Sequence, residues 1–407
     1  MKVERSTTFR TVGDAPLLAC ALLLAALGIA MIWSAGQVDV PSGVTGAWRR
    51  QLAWIGISLV AFGITVRIPL RWLEWVTPWV YGLAVLLLVV VLAVGTGPNT
   101  RSWLRLAGFS FQPAELAKLA TILMLARVLG GRKEAETRLF GLWKPVLIVF
   151  VPFVLVMAQP DLGSALIFVV ILFSALYWAG CPLFTIFMLV SPGVSLILGF
   201  SAAVWGVWFV IVVASLWARR PFIAEGVAVA LANLAAGALA TPLWNRLAPY
   251  QRRRLLVFLD PEVDPQGAGW HLIQSKVAIG SGGLSGQGFG QGPQTRLAFL
   301  PEQHTDFIFS VVGEELGLVG VLIFLALFWW FLNRVLRVAS SSPPGYGSLI
   351  AFCFFAVWLS HVVINIGMTV GLMPVTGLPL PFLSYGGSFL LTTFVGLAMV
   401  CRVAREG

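Results

Sequence analysis

Two groups of ionisable residues interrupt long apolar stretches of the chain. The first is Gln112-Pro113-Ala114-Glu115-Leu116-Ala117-Lys118. Glu115 and Lys118 are three residues apart, so on a helix they share a face and can pair. Pro113 suits the first helical turn. An ionisable side chain inside a membrane span is costly and marks a candidate site by default. The plainer reading is a neutralised structural pair, but Arg101 and Arg105 just upstream add charge beside it and favour a site. The second group is Glu314-Glu315. Adjacent residues do not share a helix face, so at most one points into a cavity; the plainer reading, of equal weight, is that one snorkels and the other pairs with a neighbouring helix. The three histidines, His271, His304 and His361, lack ligand spacing, which argues against zinc. Cys20, Cys181, Cys353 and Cys401 read as small buried hydrophobes. No Walker motif or nucleophile elbow occurs.

The richest polar stretch runs from Trp244 to Thr305. It contains Arg252-Arg253-Arg254, then Asp260 and Asp264, then Gly269-Trp270-His271 and Gln274-Ser275-Lys276, a glycine run over Gly280–Gly292, and Pro301-Glu302-Gln303-His304-Thr305-Asp306. The glycines lack the βαβ context of a dinucleotide site and read as a loop that approaches another surface closely. The arginines fit phosphate headgroups at a membrane interface; diphosphate recognition by guanidinium forks is the sharper and less favoured alternative. Thr305-Asp306 reads as a helix N-cap. A carboxylate in a partly lipid-shielded cavity with Lys and Arg nearby suits a substrate carrying a diphosphate and a lipid tail. Departure of a diphosphate needs charge stabilisation more than a proton donor, and an acceptor hydroxyl needs one general base. Transport of such an anion fits the same residues. The constellation implies no organic cofactor and leaves room for a divalent cation.

The elements that position these groups are membrane helices. Of 407 residues, 58% are hydrophobic and 11% charged, and mean hydropathy is +0.90. That excludes an ordinary soluble domain, a disordered tail or a disulfide scaffold. Runs near the length of a bilayer span occur at Pro16–Ser34, Gln51–Ile68, Trp75–Val94, Phe111–Leu129, Pro145–Ala158, Leu162–Ala179, Pro182–Gly199, Ser201–Trp217, Phe222–Leu243, Asp306–Phe331, Gly347–Gly371 and Tyr385–Cys401. The expectation is an all-α polytopic membrane protein, one transmembrane domain over residues 1–407, with about twelve spans. Net charge is +10, and Lys/Arg placement predicts both termini in the cytoplasm. The basic balance points to cytoplasmic loops rather than nucleic acid. Residues 244–305 then form a large outer loop with short helices. No cleavable leader is expected, and no internal repeat is evident.

Several motifs, in order along nearly the whole chain, resemble the SEDS family (shape, elongation, division, sporulation). They are Gln112–Lys118, Gln159-Pro160-Asp161-Leu162-Gly163, Asp264-Pro265 with Gly269-Trp270-His271 and Gln274-Ser275-Lys276, Leu300–Phe309, and Asn365-Ile366-Gly367-Met368 followed by Leu380-Pro381-Phe382-Leu383-Ser384-Tyr385-Gly386-Gly387-Ser388. Gln294-Thr295 through Glu302 looks like the elongation branch. The resemblance implies a polymerase of lipid II, the undecaprenyl diphosphate-linked precursor, working at the outer face of the cytoplasmic membrane among its lipids with a class B penicillin-binding protein. It implies Asp264 as the general base. Arg50, Arg101, Glu115, Lys118, Asp161, Lys276, His304 and Ser384 carry over as substrate-binding residues. The sequence departs from the family at Ser102, where arginine normally precedes the tryptophan at Trp103, with Arg101 one step away. It also departs within 182–243, which holds three apolar runs where one is usual: a family core of ten spans plus an extra hairpin, expected at the periphery. A lipid II flippase and a non-catalytic scaffold are the competing readings. An aromatic surface over Phe328-Trp329-Trp330-Phe331 and Phe352, Phe354, Phe355 and Trp358 is expected to receive the partner's helix.

Overall fold

The computed structural model describes residues 13–39, 45–97, 101–106, 109–132, 136–247, 249–260, 268–300 and 302–406. Each of the twelve apolar runs is helical: α1 (Ala15–Ala35), α2 (Ala47–Thr65), α3 (Leu70–Val94), α4 (Pro113–Gly130), α5 (Trp143–Ala158), α6 (Leu162–Trp178), α7 (Leu183–Leu198), α8 (Ala202–Arg219), α9 (Ile223–Arg246), α13 (Ile308–Ser341), α14 (Tyr346–Val370) and α15 (Gly387–Glu406). Three shorter helices fill the long connection: α10 (Pro249–Leu259), α11 (Ala268–Ser281) and α12 (Pro293–Arg296). Among the described residues, eight helical segments are long and apolar enough to cross a membrane, and α6 and α7 are apolar but shorter. The chain is thus an all-α polytopic protein with one small exception. A two-stranded hairpin, β1 (Leu104–Leu106) and β2 (Phe109–Phe111), pairs Leu104 with Phe111, so α4 starts at Pro113 rather than Phe111.

α4 is the centre of the bundle. It packs against α3, α5, α6, α14 and α15 and is buried on most of its surface. Such a helix cannot be amphipathic in the usual sense, because it has no lipid face to keep apolar. Its neighbours are held by capping as well as packing. Asp14 accepts from Leu17 N at the start of α1 (3.0 Å) and from Arg334 Nε of α13 (2.9 Å). Asp161 accepts from Ser164 N at the start of α6 (3.0 Å). A helix N-terminus favours such an acceptor.

α13 does not begin with a Thr305-Asp306 cap. Its N-cap is Phe307, and Thr305 Oγ1 instead donates to Glu302 O and Oε2 (both 3.1 Å). α13 is also interrupted at Gly317, with φ 63 and ψ −165. Residues 283–288 of the long connection enter that break. Leu318 N donates to Gly283 O (2.9 Å), Val319 N to Leu284 O (3.1 Å), Gln287 N to Glu314 O (2.9 Å) and Gly288 N to Glu315 O (3.1 Å). The close approach expected of the glycine run is therefore to a broken helix. The break also decides the fate of Glu314 and Glu315, both buried. Their side chains point to opposite sides, one to α1 and the other to the folded-back loop. Glu315 accepts from Ser34 Oγ of α1 (2.6 Å). Glu314 accepts from Gln294 N (2.7 Å), Thr295 N (3.1 Å) and Thr295 Oγ1 (2.7 Å) at the start of α12.

α7, α8 and α9 form a satellite with its own core of Met188, Val212, Leu216 and Val229. Ser195 Oγ donates to Asn233 Oδ1 (2.6 Å) and Asn233 Nδ2 to Ser191 Oγ (2.8 Å), a polar clasp of α7 to α9. The expected aromatic surface is mostly interior. Phe328, Phe331, Phe352, Phe354 and Trp358 are buried: Phe352 stacks on Trp178 and Phe354 on Trp358, while Phe331 meets Trp358 obliquely and Phe382 edge-on. Packing of α13 on α14 and of α14 on α6 takes up these rings, leaving Trp329 and Trp330 outside.

Gly317→Ala should destabilise the fold. A Cβ there would lie 2.3 Å from Gly286 N, and a non-glycine residue at positive φ costs about 1–3 kcal/mol before that clash. Gly193→Ala in α7, where a Cβ meets open space, should be neutral or slightly stabilising. Thermal unfolding of the two variants in detergent would check the contrast; equal midpoints would contradict the threaded break.

Candidate active site

Segments of the long connection between α9 and α13 and one end of the bundle enclose a cavity of about 750 Å³. Its walls come from far-apart parts of the chain: Arg50 and Trp54 of α2, Trp103, Arg105 and Ser110 of the hairpin region, Gln112 and Glu115 of α4, Asp161 of α6, Arg254 of α10, Glu302 to Asp306, Thr376 to Pro379, and Tyr385. The cavity therefore exists only when the bundle is assembled. Local pins hold its rim. Ser388 Oγ of α15 accepts from Gln112 N and donates to Ser110 O, both at 3.2 Å, fixing the hairpin against α15. Thr96 and Trp103 form a β-bridge that seats Trp103.

Glu115 enters the cavity with its charge already answered. Lys118 Nζ donates to its Oε1 at 2.7 Å, and both side chains are about 5% exposed. Removing one partner of such a buried pair would strand the other charge, at about 3–5 kcal/mol. Asp161 spends one oxygen on the α6 cap and accepts from Gln112 Nε2 (3.1 Å) with the other, joining the starts of α4 and α6. On the opposite wall the Arg50 guanidinium lies 5.6 Å from the centre of the Tyr385 ring, and His304 stacks obliquely on the same ring at 5.2 Å. Burial holds the His304 pKa below its usual range; Glu302 opposes this and Arg50 reinforces it. The imidazole is therefore neutral at physiological pH. Burial also pushes Asp306 up from 3.8 to about 6, with Glu302 and Asp161 adding to the shift and Arg254 opposing it.

Of the residues singled out from sequence, the structure brings Arg50, Glu115, Asp161 and His304 together in this cavity. Lys118 lies one layer below, as the counter-ion of Glu115. Three others lie off the cavity wall. Arg101 is exposed, while Arg105 lines the cavity. Lys276 lies against Gly371, the C-cap of α14, where a cation suits the helix dipole. Ser384 is buried and structural, accepting from Leu380 N (2.8 Å) and donating to Thr305 O (2.6 Å). Asp264 falls outside the described residues.

Sequence reasoning missed Arg254, Glu302, Asp306 and Tyr385 as wall residues. The arginine triple divides on α10: Arg252 donates to Leu247 O (3.1 Å), Arg253 is exposed, and Arg254 faces the cavity. Successive helical residues point about 100° apart, so only one of three could do so. Among the described residues no group of three or more His, Cys, Asp or Glu is arranged to hold a metal ion.

The FtsW/RodA/SpoVE family, described as cell cycle protein, matches residues 14–407. The chain is 37% identical to the peptidoglycan glycosyltransferase MrdB of Escherichia coli K12 over 392 residues, covering 96% of this chain and 93% of that protein. It is 34% identical to the peptidoglycan glycosyltransferase RodA of Treponema pallidum over 424 residues, covering 97% and 98%. Among solved structures it is similar to a chain of a peptidoglycan synthase complex studied for its structural coordination of polymerization and crosslinking. There the TM-score is 0.71 with 31% identity, covering 97% and 98% of the two chains. The Rod shape determining protein RodA of Thermus thermophilus gives a TM-score of 0.63 with 29% identity, covering 97% of each.

The raised Asp306 pKa has a signed consequence. Between pH 3.8 and about 6 the folded state holds a proton that the unfolded chain releases. Its contribution to stability is therefore complete at low pH and lost as pH rises through about 6. Asp306→Asn removes that dependence, so the variant should gain thermal stability relative to the parent as pH is raised from 4 to 8. Parallel melting curves across that range would refute the shift.

Proposed function

The chain belongs to the SEDS family, in its RodA/MrdB/FtsW branch, and from that membership we propose that its cavity polymerises lipid II into glycan strands. By family it is a peptidoglycan glycosyltransferase. The observation that carries the reading is the cavity itself, where Arg50, Arg105 and Arg254 converge beside carboxylates of which Glu115 is already neutralised. Guanidinium forks suit the oxygens of a diphosphate, and stabilising the departing diphosphate is the main electrostatic demand of the reaction. Asp264 is assigned the role of general base, taking the proton of the acceptor hydroxyl as it attacks the anomeric carbon with inversion. Two features support that choice. Arg254 of α10, before it in the chain, lines the cavity. His271 of α11, after it, stacks at 5.8 Å on Phe307, next to Asp306. Arg101, Lys276 and Ser384 remain assigned to the substrate path: the first at the cavity approach, the others through the turn and helix end they hold.

The twelve helices α1–α9 and α13–α15 are read as twelve spans of the bacterial cytoplasmic membrane, with both termini inside and the cavity on the outer face. Arg219 and Arg220 between α8 and α9, and Arg334 and Arg337 near the end of α13, then fall on the inner side, as positive charge does. The satellite α7–α9 contains the extra hairpin, and none of its residues lines the cavity. A flippase would need headgroup contacts near the midplane, whereas the charged walls lie at the starts of α4 and α6 and in the outer loop. A class B penicillin-binding protein is the partner that the reading requires. On α13, Leu318, Val319, Leu322 and Ile323 form an exposed apolar stripe running toward Trp329, which a single partner helix could cover by van der Waals packing.

Purified protein given lipid II should form glycan polymer, faster with the partner bound. Asp264→Asn should lower the rate by about 10²–10⁴-fold, the usual contribution of a base. Arg254→Ala should lower it by about 10–100-fold, the equivalent of one charged hydrogen bond. Near-normal polymerisation by Asp264→Asn would remove that residue from its role, and transbilayer movement of lipid II without polymer would favour the flippase. Cysteines at Leu318, Leu322 or Trp329 should cross-link to the partner's membrane helix. Cross-links confined to α1–α3 would place the partner elsewhere.

A further inference from the structure

Below the main cavity lies a second one, of about 30 Å³, lined by Glu115, Lys118, His361, Phe389, Thr392 and Thr393 among others. His361 of α14 is fully buried. Its Nδ1 lies 2.9 Å from Pro379 O. A carbonyl oxygen only accepts, so Nδ1 carries the proton and Nε2 carries a lone pair. That Nε2 is buried and has no partner among the described residues. Lys118 has three N–H donors, and among the described residues its hydrogen-bond partner is Glu115 alone. Phe389 touches both groups: the His361 ring stacks on it at 4.8 Å, and Lys118 Nζ lies 5.9 Å from its centre. Thr392 and Thr393 each give their proton to helix carbonyls, at 3.0 Å and 2.7 Å to Phe389 O, which leaves hydroxyl lone pairs open.

We propose that one buried water in this small cavity accepts from Lys118 and donates to His361 Nε2, making His361 a positioning residue that fixes Lys118, and through it Glu115, at the floor of the active site. The cavity exceeds the roughly 10–15 Å³ that one water needs, and the site offers it the 2–4 polar partners a buried water needs. The third partner is a threonine hydroxyl. Two polar atoms that would each be costly to bury unpaired are satisfied by the same water. The Pro379 carbonyl belongs to the Leu378-Pro379 wall of the main cavity, so the imidazole ties that wall to the α4 pair. The functional part of this inference rests on the polymerase reading; the structural part does not.

The chain has three histidines, so nitrogen-15 histidine spectra of the full-length protein in nanodiscs can be assigned by subtracting the His361→Gln spectrum. His361 should be neutral, protonated on Nδ1, with an Nε2 resonance displaced as for an accepted hydrogen bond. Lys118→Met should move that resonance. An Nε2-protonated ring, or an Nε2 resonance typical of a free lone pair in the parent protein, overturns the proposal whether or not any variant folds. In polymerisation, His361→Phe should lower kcat by about 10–100-fold with KM nearly unchanged, and His361→Gln, whose amide oxygen can accept, should retain activity within about threefold. Equal activity of the two variants overturns the positioning role. A parent protein that makes no polymer defeats the polymerase reading alone, and the spectra still decide the water bridge.

Discussion

Burying an ion pair among apolar helices is the constraint from which the rest of the architecture follows. Glu115 and Lys118 sit on α4 with almost no exposure, where each charge alone would be strongly disfavoured. Their pairing lets α4 occupy the middle of the bundle and still present a carboxylate to a polar chamber. A central helix must be packed on every side, and α3, α5, α6, α14 and α15 do this. The starts of α4, α6 and α15, with α2 and α10, then form part of the chamber's walls. Had Glu115 faced lipid, the pair would have been an expense with no site attached.

The long connection between α9 and α13 solves a different problem. Backbone polar groups near a membrane surface need partners, and a long irregular connection has many. The break at Gly317 supplies them by opening α13 to the segment 283–288, which completes hydrogen bonds the interrupted helix cannot make for itself. The adjacent acids Glu314 and Glu315 then act as two clamps facing opposite ways, one on α12 and one on α1. Their burial is thus explained by folding rather than chemistry. The loop is fixed to α1 through Gln303 and to α13 and α14 through α11 and α12, and Glu302, His304, Thr305 and Asp306 reach the cavity from that base.

Much of this was legible in the residues. The apolar runs gave twelve helices because hydropathy over roughly twenty residues is a strong, local signal. Glu115 was visible as a charge where charge is costly, and Asp161 and His304 through family motifs. What escaped depended on tertiary contact. Asp306 read as a cap because Thr-Asp before an apolar run usually is one, whereas here Phe307 intervenes and the carboxyl turns toward Arg254 and Glu302. Arg254 was indistinguishable from Arg252 and Arg253 without the phase of α10. The aromatic rings of α13 and α14 could not be sorted into interior and surface by sequence, since lipid and protein interior are equally apolar. The hairpin before α4 was too short for any periodicity to announce it.

The charges of the chamber make sense only when each is weighed by its state. By formal count the walls are not cationic, because Glu115, Asp161, Glu302 and Asp306 face Arg50, Arg105 and Arg254. The Glu115 charge is cancelled by Lys118 at 2.7 Å. Asp161 is committed to a helix N-terminus and to Gln112. Asp306, pushed up to about 6, is ionised for the most part near neutrality but takes a proton far more readily than an ordinary carboxylate, and an arriving anion would favour its neutral form. The guanidinium groups are the only members that no change of protonation can silence. An anion entering the chamber therefore meets three permanent cations, two carboxylates already committed to partners, one that protonates readily, and Glu302 as the remaining negative charge, so a site with nearly balanced formal charge can still hold a diphosphate.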